Sequence, residues 1–352
     1  MSPSSRPEED ALLSTLTGAT AEKTAGKAAQ GRVVTMTQRP VVRIAFALVA
    51  VILLSAPFWS GDYIVRVLSL IFLYAAMAQG WNLISGYTGY PAFGQAVFYG
   101  IGAYTTGLAM NNLGLPFVPA LILSAAVGAV YAALWGIPVL RLQGHYFAIA
   151  TLAISEATRD IIANASWTGG PSGIGLPIYN NYQVFYYALL ALMVASTLFI
   201  WWVSRSRFGY ALLAIRENED AARIMGINTT VYKVTAFALS GMITALAGAI
   251  YAYWISFIDP YSLFDSSVTI QMIIMATLGG PGTVLGPVIG AFVLEGVTDY
   301  LWQNFLYLHT AFLGLAIILI VIFLPRGVMD FMTGRRRISW HTFLANARRY
   351  RV

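Results

Sequence analysis

The chain has 352 residues, of which 58% are hydrophobic and only 10% charged, and its mean hydropathy is +0.68. A water-soluble domain carries about a quarter charged residues, so this composition excludes an ordinary soluble protein and indicates one embedded in a lipid bilayer. The absence of cysteine excludes disulfides, a thiol nucleophile and cysteine metal sites. The net charge of +6 is spread over short loops and a C-terminal cluster, which argues against nucleic acid as a partner and is better explained by membrane topology.

Three regions follow one another along the chain. Residues 1–40 are rich in Ser, Thr, Ala, Gly and charge, and they bury too little apolar surface to offset the entropy of ordering, so we predict a disordered cytoplasmic tail. Residues 41–332 are predicted to form the transmembrane domain. Residues 333–352 contain Arg335–Arg337 and are predicted to form a basic cytoplasmic tail, which could also hold anionic lipid headgroups.

The apolar stretches predict an all-α fold, a polytopic transmembrane helical bundle with about 8–10 spans. A span needs roughly 20 apolar residues. The candidates are 41–59, 64–84, 92–111, 117–139, 146–164, 184–203, 231–256, 267–280, 286–305 and 309–325. An even number of spans with both termini in the cytoplasm places nearly all arginines on the cytoplasmic side. The segment 267–280 is short and could be a re-entrant or broken helix instead of a full span.

Two connecting segments are predicted on the outer side of the membrane. The longer one, 165–183, is rich in Gly, Pro and Asn and cannot continue a helix. The second runs from Phe257 to Ser266 and carries Asp259 and Asp265. These surfaces could receive a binding protein, or they could be ordinary connectors.

The longest polar interruption is the loop 204–230. Good helix formers run from Phe208 to Met225, and this stretch predicts a short helix outside the membrane. Apolar residues at helical spacing define its inner face, namely Leu212, Ile215, Ala222 and Met225. Gly226 can end this helix in the left-handed conformation. Asn228, Thr229 or Thr230 can then cap the next span.

The same loop has the features of a contact surface for another protein. Asp220, Ala221 and Ala222 precede Gly226 at a fixed spacing, and the two alanines allow a groove on another protein to approach the backbone closely. Four charged residues can form contacts at the rim, namely Arg216, Glu217, Glu219 and Arg223. On this spacing alone, an ordinary solvated loop is the competing interpretation.

Two clusters of glycine and proline interrupt the predicted spans. The first consists of Gly86, Gly89, Pro91 and Gly94. The second consists of Gly279, Gly280, Pro281, Gly282, Gly286 and Pro287. Non-helical backbone at membrane depth must be buried in protein or line a wet cavity, and paired interruptions point to the translocation path. Close helix packing, for which Gly100, Gly102 and Gly107 are also suited, is the equally weighted alternative.

Charged residues within the spans are costly and therefore mark candidate sites. Glu156, Arg159 and Asp160 lie on one helix face, where the arginine can pair with either carboxylate. This group is either a structural ion cluster or part of an outer gate. Glu295 and Asp299 also share a face but have no neighbouring cation on their helix, so they need a partner, water or an interface.

Nothing in the sequence supports catalysis. The three histidines, His145, His309 and His341, are not part of a zinc-protease or serine-hydrolase motif. Gly26-Lys27 lacks the flanking residues of a phosphate-binding loop. We therefore predict no catalytic residue, metal site, nucleotide site or cofactor in this chain.

Four segments in the same order resemble permeases of the branched-chain amino acid ABC importers. They are Asn82–Leu108, Arg141–Glu156, the loop 204–230 and Leu278–Val293, and the resemblance extends over about 42–332. The Asp220 to Gly226 spacing is similar to that of the loop by which importer permeases contact their ATPases. Where such loops end in Ile-x-Leu-Pro, this chain reads Ala-Phe-Ala-Leu at 236–239.

The resemblance implies a non-enzymatic transport subunit in the cytoplasmic (inner) membrane of a bacterium or archaeon. The implied partners are a second permease subunit forming a heterodimer, two ATP-binding cassette subunits that hydrolyse ATP, and an extracytoplasmic solute-binding protein. The implied cargo is a branched-chain or related amino acid. In this mechanism the helix Phe208–Met225 moves as a rigid lever when the ATPases close.

Three other functions remain open from the residues. A urea or short-chain amide importer would have the same architecture. A self-contained secondary carrier would also explain the spans and their interruptions, but it would not need the loop 204–230. An intramembrane enzyme lacks a reactive group of residues.

Overall fold

The computed structural model describes residues 40–179, 181–304 and 314. Apart from Pro40 and Gly314, the two predicted tails and the last expected span, 309–325, lie outside the described residues. The chain divides into two units, Met1–Gly61 and Asp62–Val352. The described part of the first unit contains the apolar helix α1 (Pro40–Trp59).

The described part of the second unit is almost entirely helical. Its helices are α2 (Asp62–Trp81), α3 (Ala96–Asn112), α4 (Phe117–Val139), α5 (His145–Asn164), α6 (Tyr182–Ser204), α7 (Arg207–Glu217), α8 (Glu219–Ile224), α9 (Thr229–Ile255), α10 (Pro260–Leu263), α11 (Ser266–Gly279) and α12 (Gly286–Asn304). A π-helical turn, Asn82–Gly86, extends α2. The strands β1 (Ile174–Gly175) and β2 (Phe257–Ile258) form one short antiparallel pair.

The predicted spans up to residue 305 each coincide with a helix to within a few residues, which confirms the all-α polytopic fold. Within the described residues, five helical segments are long and apolar enough to cross a membrane. They are Asp62–Gly86, Phe117–Val139, Tyr182–Ser204, Thr229–Ile255 and Pro260–Gly279. The total of ten spans remains a prediction.

Helix α9 is the central packing element of the second unit and contacts α2, α3 and α4. The face that α4 turns inward carries a small residue at every fourth position, namely Ala120, Ser124, Gly128, Ala132 and Gly136. Small residues let two helix backbones approach closely, which compensates for the lack of a hydrophobic driving force in lipid. Large apolar residues such as Ile122 and Leu134 lie on the exposed side of α4, as expected for a surface facing lipid.

The segment 267–280 lies in one continuous helix, α11, and a break separates it from the short helix α10 that precedes it; whether it is re-entrant stays a prediction. Asp259 caps α10 by accepting from the backbone N–H of Ser262 at 2.9 Å, and Asp265 caps α11 by accepting from that of Ser267 at 2.7 Å. Two successive caps end one helix and begin the next. Phe264, between them, is fully buried and packs against Tyr104 with ring centroids 6.2 Å apart.

The two ends of α9 define two ends of the second unit. The helix has 27 residues and is therefore about 40 Å long. Its first residue follows α8, and its last residue precedes β2. The strand pair joins the two segments predicted as outer loops, with Ile174 opposite Ile258. We refer to these as the α7–α8 end and the β1–β2 end.

Candidate functional site

The loop 204–230 forms two helices, so the prediction of one helix from Phe208 to Met225 is wrong. Asn218 separates α7 from α8 with extended backbone angles, φ −162° and ψ 110°. Its side-chain oxygen accepts from the N–H of Ala221 at 2.9 Å. Asparagine competes for backbone hydrogen bonds in this way, so it starts a new helix more readily than it continues an old one.

The ends of the two helices follow the sequence expectations. Gly226 has φ +86° and ends α8 in the left-handed region, where a residue with a Cβ would be strained. Asn228 caps α9 by accepting from Val231 N–H at 3.2 Å. Ser206 caps α7 in the same way, with an acceptor distance of 3.2 Å to the N–H of Gly209.

Three of the four apolar residues of the predicted inner face are buried. Leu212, Ile215 and Ala222 are buried as predicted. Met225 is not: its side chain is 81% exposed, beside Ile224 at 86%. Ala222 is still buried beyond the break, but α8 ends at Ile224, so Met225 lies outside the helix and the predicted inner face does not extend to it. The C-terminal end of α8 therefore presents two adjacent exposed apolar side chains.

A buried group of residues attaches α8 to three other parts of the unit. Lys233, in the second turn of α9, is only 4% exposed. Its Nζ donates to Glu219 Oε1 at 2.7 Å, to the Tyr90 hydroxyl at 2.8 Å and to the carbonyl oxygen of Leu140 at 2.9 Å. The Tyr90 hydroxyl donates in turn to the second carboxylate oxygen of Glu219. We name Tyr90, Leu140, Glu219 and Lys233 the Lys233 cluster.

Within the cluster, Glu219 and Lys233 form a charged ion pair. Burial alone would raise the pKa of the Glu219 carboxyl, but the hydrogen bonds and charge from Lys233 and the bond from Tyr90 outweigh it, and the pKa is lowered. Burial and the bond to Glu219 raise the pKa of the Tyr90 hydroxyl. At neutral pH the carboxylate is therefore charged and the phenol neutral. All three donors of the lysine are used, which is what a buried ammonium group requires.

The remaining charged residues of the loop lie around this cluster. Arg223 Nη2 is 3.2 Å from Glu219 Oε1, and Arg223 Nη1 is 3.8 Å from Asp220 Oδ1. Glu217, Asp220 and Ala221 are exposed. Of the residues predicted to form a charged rim, Glu219 is thus turned inward toward Lys233, whereas Glu217 is exposed and open to a partner, as is Asp220 from the predicted spacing motif.

The two Gly/Pro clusters contact each other directly. Gly86 is the last residue of the π-helical turn, and Gly89, Pro91 and Gly94 follow it in irregular backbone. Gly279 is the last residue of α11, Gly280, Pro281 and Gly282 form a turn, and Gly286 and Pro287 begin α12. The fully buried Asn82 joins the two interruptions: its Nδ2 donates to Thr283 O at 2.9 Å, and its Oδ1 accepts from Gly282 N–H at 2.7 Å.

Glycine is needed at this junction because the backbones meet too closely for a side chain. A Cβ on Gly86 would lie 2.0 Å from Asn82 Oδ1 and 2.6 Å from the nitrogen of Gly282. A Cβ on Gly279 would lie 1.7 Å from the carbonyl oxygen of Gly286. These distances support close packing as one role of the clusters; a role in the translocation path stays a prediction.

Arg216 connects the loop to this junction. Its Nη1 donates to the carbonyl oxygen of Gly86 at 2.6 Å. A Cβ on Gly282 would lie 2.6 Å from the same nitrogen, and one on Gly89 would lie 3.1 Å from Arg216 Cγ. The last turn of α7 therefore touches both interruptions, which are about 200 residues apart in sequence.

The charged residues toward the β1–β2 end form two further groups. Arg159 pairs with Glu156 at 2.5 Å and with Asp160 at 3.2 Å, as predicted. Glu156 also accepts from the Ser266 hydroxyl at 2.9 Å, which ties α5 to α11. This additional bond favours a structural role for the group.

The second group provides a partner for Asp299. Asp299 accepts from the Tyr63 hydroxyl and from Gln303 Nε2, the latter at 2.9 Å. Gln303 Nε2 also donates to the Tyr63 hydroxyl at 2.7 Å. Glu295 lies one turn earlier on α12 and makes neither a hydrogen bond nor an ion pair with any residue in the described ranges.

Sequence reasoning did not identify Asn82, Tyr90 or Lys233 as site residues. For Lys233 a signal was available, since a lysine inside an otherwise apolar span requires a buried acceptor. Its distance of 14 residues from Glu219 across a helix end concealed the pairing. For Asn82 and Tyr90 the partners lie more than 125 residues away in sequence, and no local pattern reveals them.

Comparisons with known proteins agree with this architecture. The family model described as "Branched-chain amino acid transport system / permease component" matches residues 63–323. "High-affinity branched-chain amino acid transport system permease protein LivM" of Salmonella typhimurium is 30% identical over 311 residues, covering 79% of this chain and 73% of the relative. The protein of the same name from Escherichia coli is 30% identical over 316 residues, covering 80% and 74%.

More distant relatives extend the comparison. "Probable branched-chain amino acid transport permease protein LivM" of Methanocaldococcus jannaschii is 26% identical over 324 residues, covering 77% of this chain and 94% of the relative. No solved structure was found to match the chain. The family match spans almost the whole described part of the second unit, including the Asn82 junction, the loop 204–230 and the Lys233 cluster. The chain belongs to the family of branched-chain amino acid transport permease components.

Proposed function

We propose that this chain is a membrane-spanning permease subunit of an ATP-driven importer that translocates branched-chain or related amino acids delivered by an extracytoplasmic binding protein. The observation that carries the proposal is the contact of Arg216 with both helix interruptions. It gives a loop outside the spans direct mechanical access to irregular backbone inside the bundle. A self-contained carrier has no need of such a connection.

The exposed end of α8 is the proposed docking surface for an ATP-binding cassette subunit. Protein interfaces bind mainly through a few apolar anchors surrounded by a polar rim. Ile224 and Met225 supply such anchors, and the exposed Glu217 and Asp220 supply the rim. In the complete importer, two such subunits hydrolyse ATP, and a second permease subunit forms a heterodimer with this chain.

The positions of the basic residues support an orientation in which the α7–α8 end faces the cytoplasm. Arg205, Arg207, Arg216 and Arg223 cluster at the α7–α8 end, and arginine and lysine are enriched in short cytoplasmic loops. The α7–α8 end and both termini are therefore proposed to be cytoplasmic. The β1–β2 end then faces the binding protein.

In the proposed mechanism, closure of the ATPases displaces α8 and α7 together. Arg216 transmits the displacement to the junction of Gly86 and Gly282, where the backbone is not held by regular helical hydrogen bonds. The two interruptions then exchange an outward-open for an inward-open arrangement. The few charged residues in the predicted spans suit a zwitterionic cargo, and Lys233 is already fully paired.

The docking surface can be tested by placing a charge in it. We expect Ile224→Asp and Met225→Asp to abolish co-purification of the ATPase subunits from cells that express the whole importer. Ile178→Asp is the matched control, because Ile178 is 79% exposed but lies in the segment predicted as an outer loop. Unchanged co-purification in both α8 variants would refute the docking surface.

The cargo is tested in proteoliposomes that hold the complete importer and its binding protein. We expect binding-protein-stimulated ATP hydrolysis together with uptake of radiolabelled leucine. Stimulated hydrolysis without leucine uptake would redirect the assignment to urea or a short-chain amide. Uptake that persists with inactivated ATPases and collapses with an uncoupler would instead identify a secondary carrier.

A further inference from the structure

Helix α8 is too short to hold its own position. It has six residues, whereas an isolated helix is marginal below about 12 residues. Its orientation must therefore come from attachments to the rest of the unit. The N-terminal attachment is Glu219, the first residue of α8, through the Lys233 cluster.

The cluster attaches α8 to three separate segments at one point. Lys233 belongs to α9, Tyr90 lies in the middle of the first Gly/Pro interruption, and Leu140 is the residue that ends α4. The Tyr90 ring also lies 4.5 Å from Lys233 Nζ, and its edge packs against Phe147 of α5 with centroids 5.2 Å apart. Any displacement of Glu219 is thus applied to the interruption itself.

The cluster resists deformation more strongly than the other attachment of the loop. Arg216 is exposed and reaches the junction through its hydrogen bond to the Gly86 carbonyl oxygen, so water can replace that contact. Lys233 is buried, and both oxygens of Glu219 accept bonds within the cluster. Separating a buried ion pair leaves an uncompensated charge, which is far more costly than breaking an exposed bond.

We propose that Lys233, Glu219 and Tyr90 form a rigid joint that makes α8 and the irregular segment 89–95 move as one body. This joint sets how much cargo is moved for each ATP hydrolysed. These are positioning residues, because they act on the path through the backbone that they hold. The proposal rests on the proposed function, in that α8 is taken to be the contact with the ATPase.

If the cluster had only a structural role, substitutions in it would lower the amount of folded importer without changing the ratio of cargo uptake to ATP hydrolysis. The test therefore uses Lys233→Met combined with Glu219→Gln. Removing both charges leaves no buried unpaired ion, so this double variant should fold where either single variant could fail. We expect the ratio of leucine taken up to ATP hydrolysed to fall by about tenfold, the size of a typical coupling between sites.

Arg205→Gln is the control. Arg205 lies at the same α7–α8 end, with its guanidinium over the Trp201 ring, but it belongs neither to the cluster nor to the docking surface, so its loss should leave the ratio unchanged. Tyr90→Phe keeps the ion pair and removes the bond to the interruption, so it should also lower the ratio. An unchanged ratio in the double variant, or a fall equal to that of the control, would overturn the proposal.

A distance measurement separates failure of the joint from failure of the cargo assignment. The chain has no cysteine, so two spin labels can be introduced at Ile227→Cys and Phe93→Cys, which are half-buried and exposed respectively. The backbone N–H of Ile227 donates to the carbonyl oxygen of Ala222 at 3.1 Å, so a label there reports the position of α8 without lying in the docking surface. With nucleotide-free and nucleotide-bound importer, we expect one unchanged label distance in the otherwise wild-type chain and a broadened distribution in the double variant. A wild-type distance that changes with nucleotide would refute the joint, whatever the importer carries.

Discussion

Glu219 and Lys233 show how burial can make a charged residue of a solvent-facing loop a structural one. Because the folded-state pKa of Glu219 lies below its ordinary value of 4.5, folding favours the ionised carboxylate. Its stabilising contribution is complete above the unfolded-state pKa and is lost as the pH falls through the lowered folded-state pKa. The groups that face the carboxylate are Lys233, Tyr90, Arg223 and Thr229.

The pH dependence of stability follows from that sign. We expect the thermal midpoint of the wild-type importer to exceed that of Glu219→Gln by a constant amount between about pH 6 and 8. The difference should shrink as the pH falls below 4.5, where the wild-type carboxylate takes up a proton. Thermal unfolding in detergent, measured by intrinsic fluorescence over this range, checks the expectation. A difference that grows on acidification would contradict it.

Asn82 offers a second prediction for a single side chain. Asn82→Ala removes both bonds between the interruptions, and an unsatisfied buried polar group costs about 1–3 kcal/mol. We expect a lower thermal midpoint and faster proteolysis near the Gly282 turn. Asn111→Ala is the control, because Asn111 is exposed and makes one bond to the Gly175 carbonyl, so its effect should be much smaller. Equal effects of the two substitutions would argue against a special role for the junction.

Residues whose conformation is set locally were predictable from the sequence. Gly226 takes the left-handed conformation, Asn228 caps the following helix, and Arg159 pairs with its neighbours on one helix face. In each case the determining contacts lie within a few residues. Asn82 and Lys233 depend on partners brought together only by packing of several helices, which residue type and spacing do not encode.

Helices α7 and α8 show the same limit of sequence-based prediction at the scale of secondary-structure elements. The helix-forming composition of 208–225 was recognised, but the extended residue inside it was not, because Asn is tolerated within helices as well as preferred at their starts. The break matters for the proposed function because α8 begins after it, with Glu219 turned inward toward Lys233 and Met225 exposed at the other end. In contrast, the caps that divide α10 from α11 agree with the short apolar segment predicted there.

The break at Asn218 can be tested directly. Asn218→Ala removes a cap worth roughly 1 kcal/mol and favours a continuous helix through the segment. A continuous helix would turn Ile224 and Met225 away from their present positions, so we expect less ATPase to co-purify. Asn181→Ala is the matched control, because Asn181 occupies the N-cap position of α6 without a side-chain capping bond. Normal co-purification of Asn218→Ala would show that the break is not needed for docking.

Across the whole second unit, α9 connects the proposed site of force at the α7–α8 end with the strand pair at the β1–β2 end. In the proposed mechanism, its close packing on α3 and α4 would let it transmit displacement over about 40 Å without bending. The spans were predictable because each needs a long apolar stretch. Which helices pack against each other could not be predicted, because the lipid-facing and protein-facing sides of a span are equally apolar and differ mainly in residue size.

Substitution of Gly248 tests the packing of α9 against α3. A Cβ on Gly248 would lie 2.0 Å from the carbonyl oxygen of Tyr99, a backbone atom that can move only if α3 and α9 separate. Overpacking of this kind costs typically about 1–3 kcal/mol and outweighs the roughly 1 kcal/mol that alanine contributes to a helix. We expect Gly248→Ala to lower the thermal midpoint and the yield of assembled importer. Gly296→Ala, where no atom lies within 4 Å of the new Cβ, should be neutral or stabilising. If both variants behaved alike, the contact between α3 and α9 would be too loose to transmit force, and the displacement of α8 would have to reach the outer end by another helix.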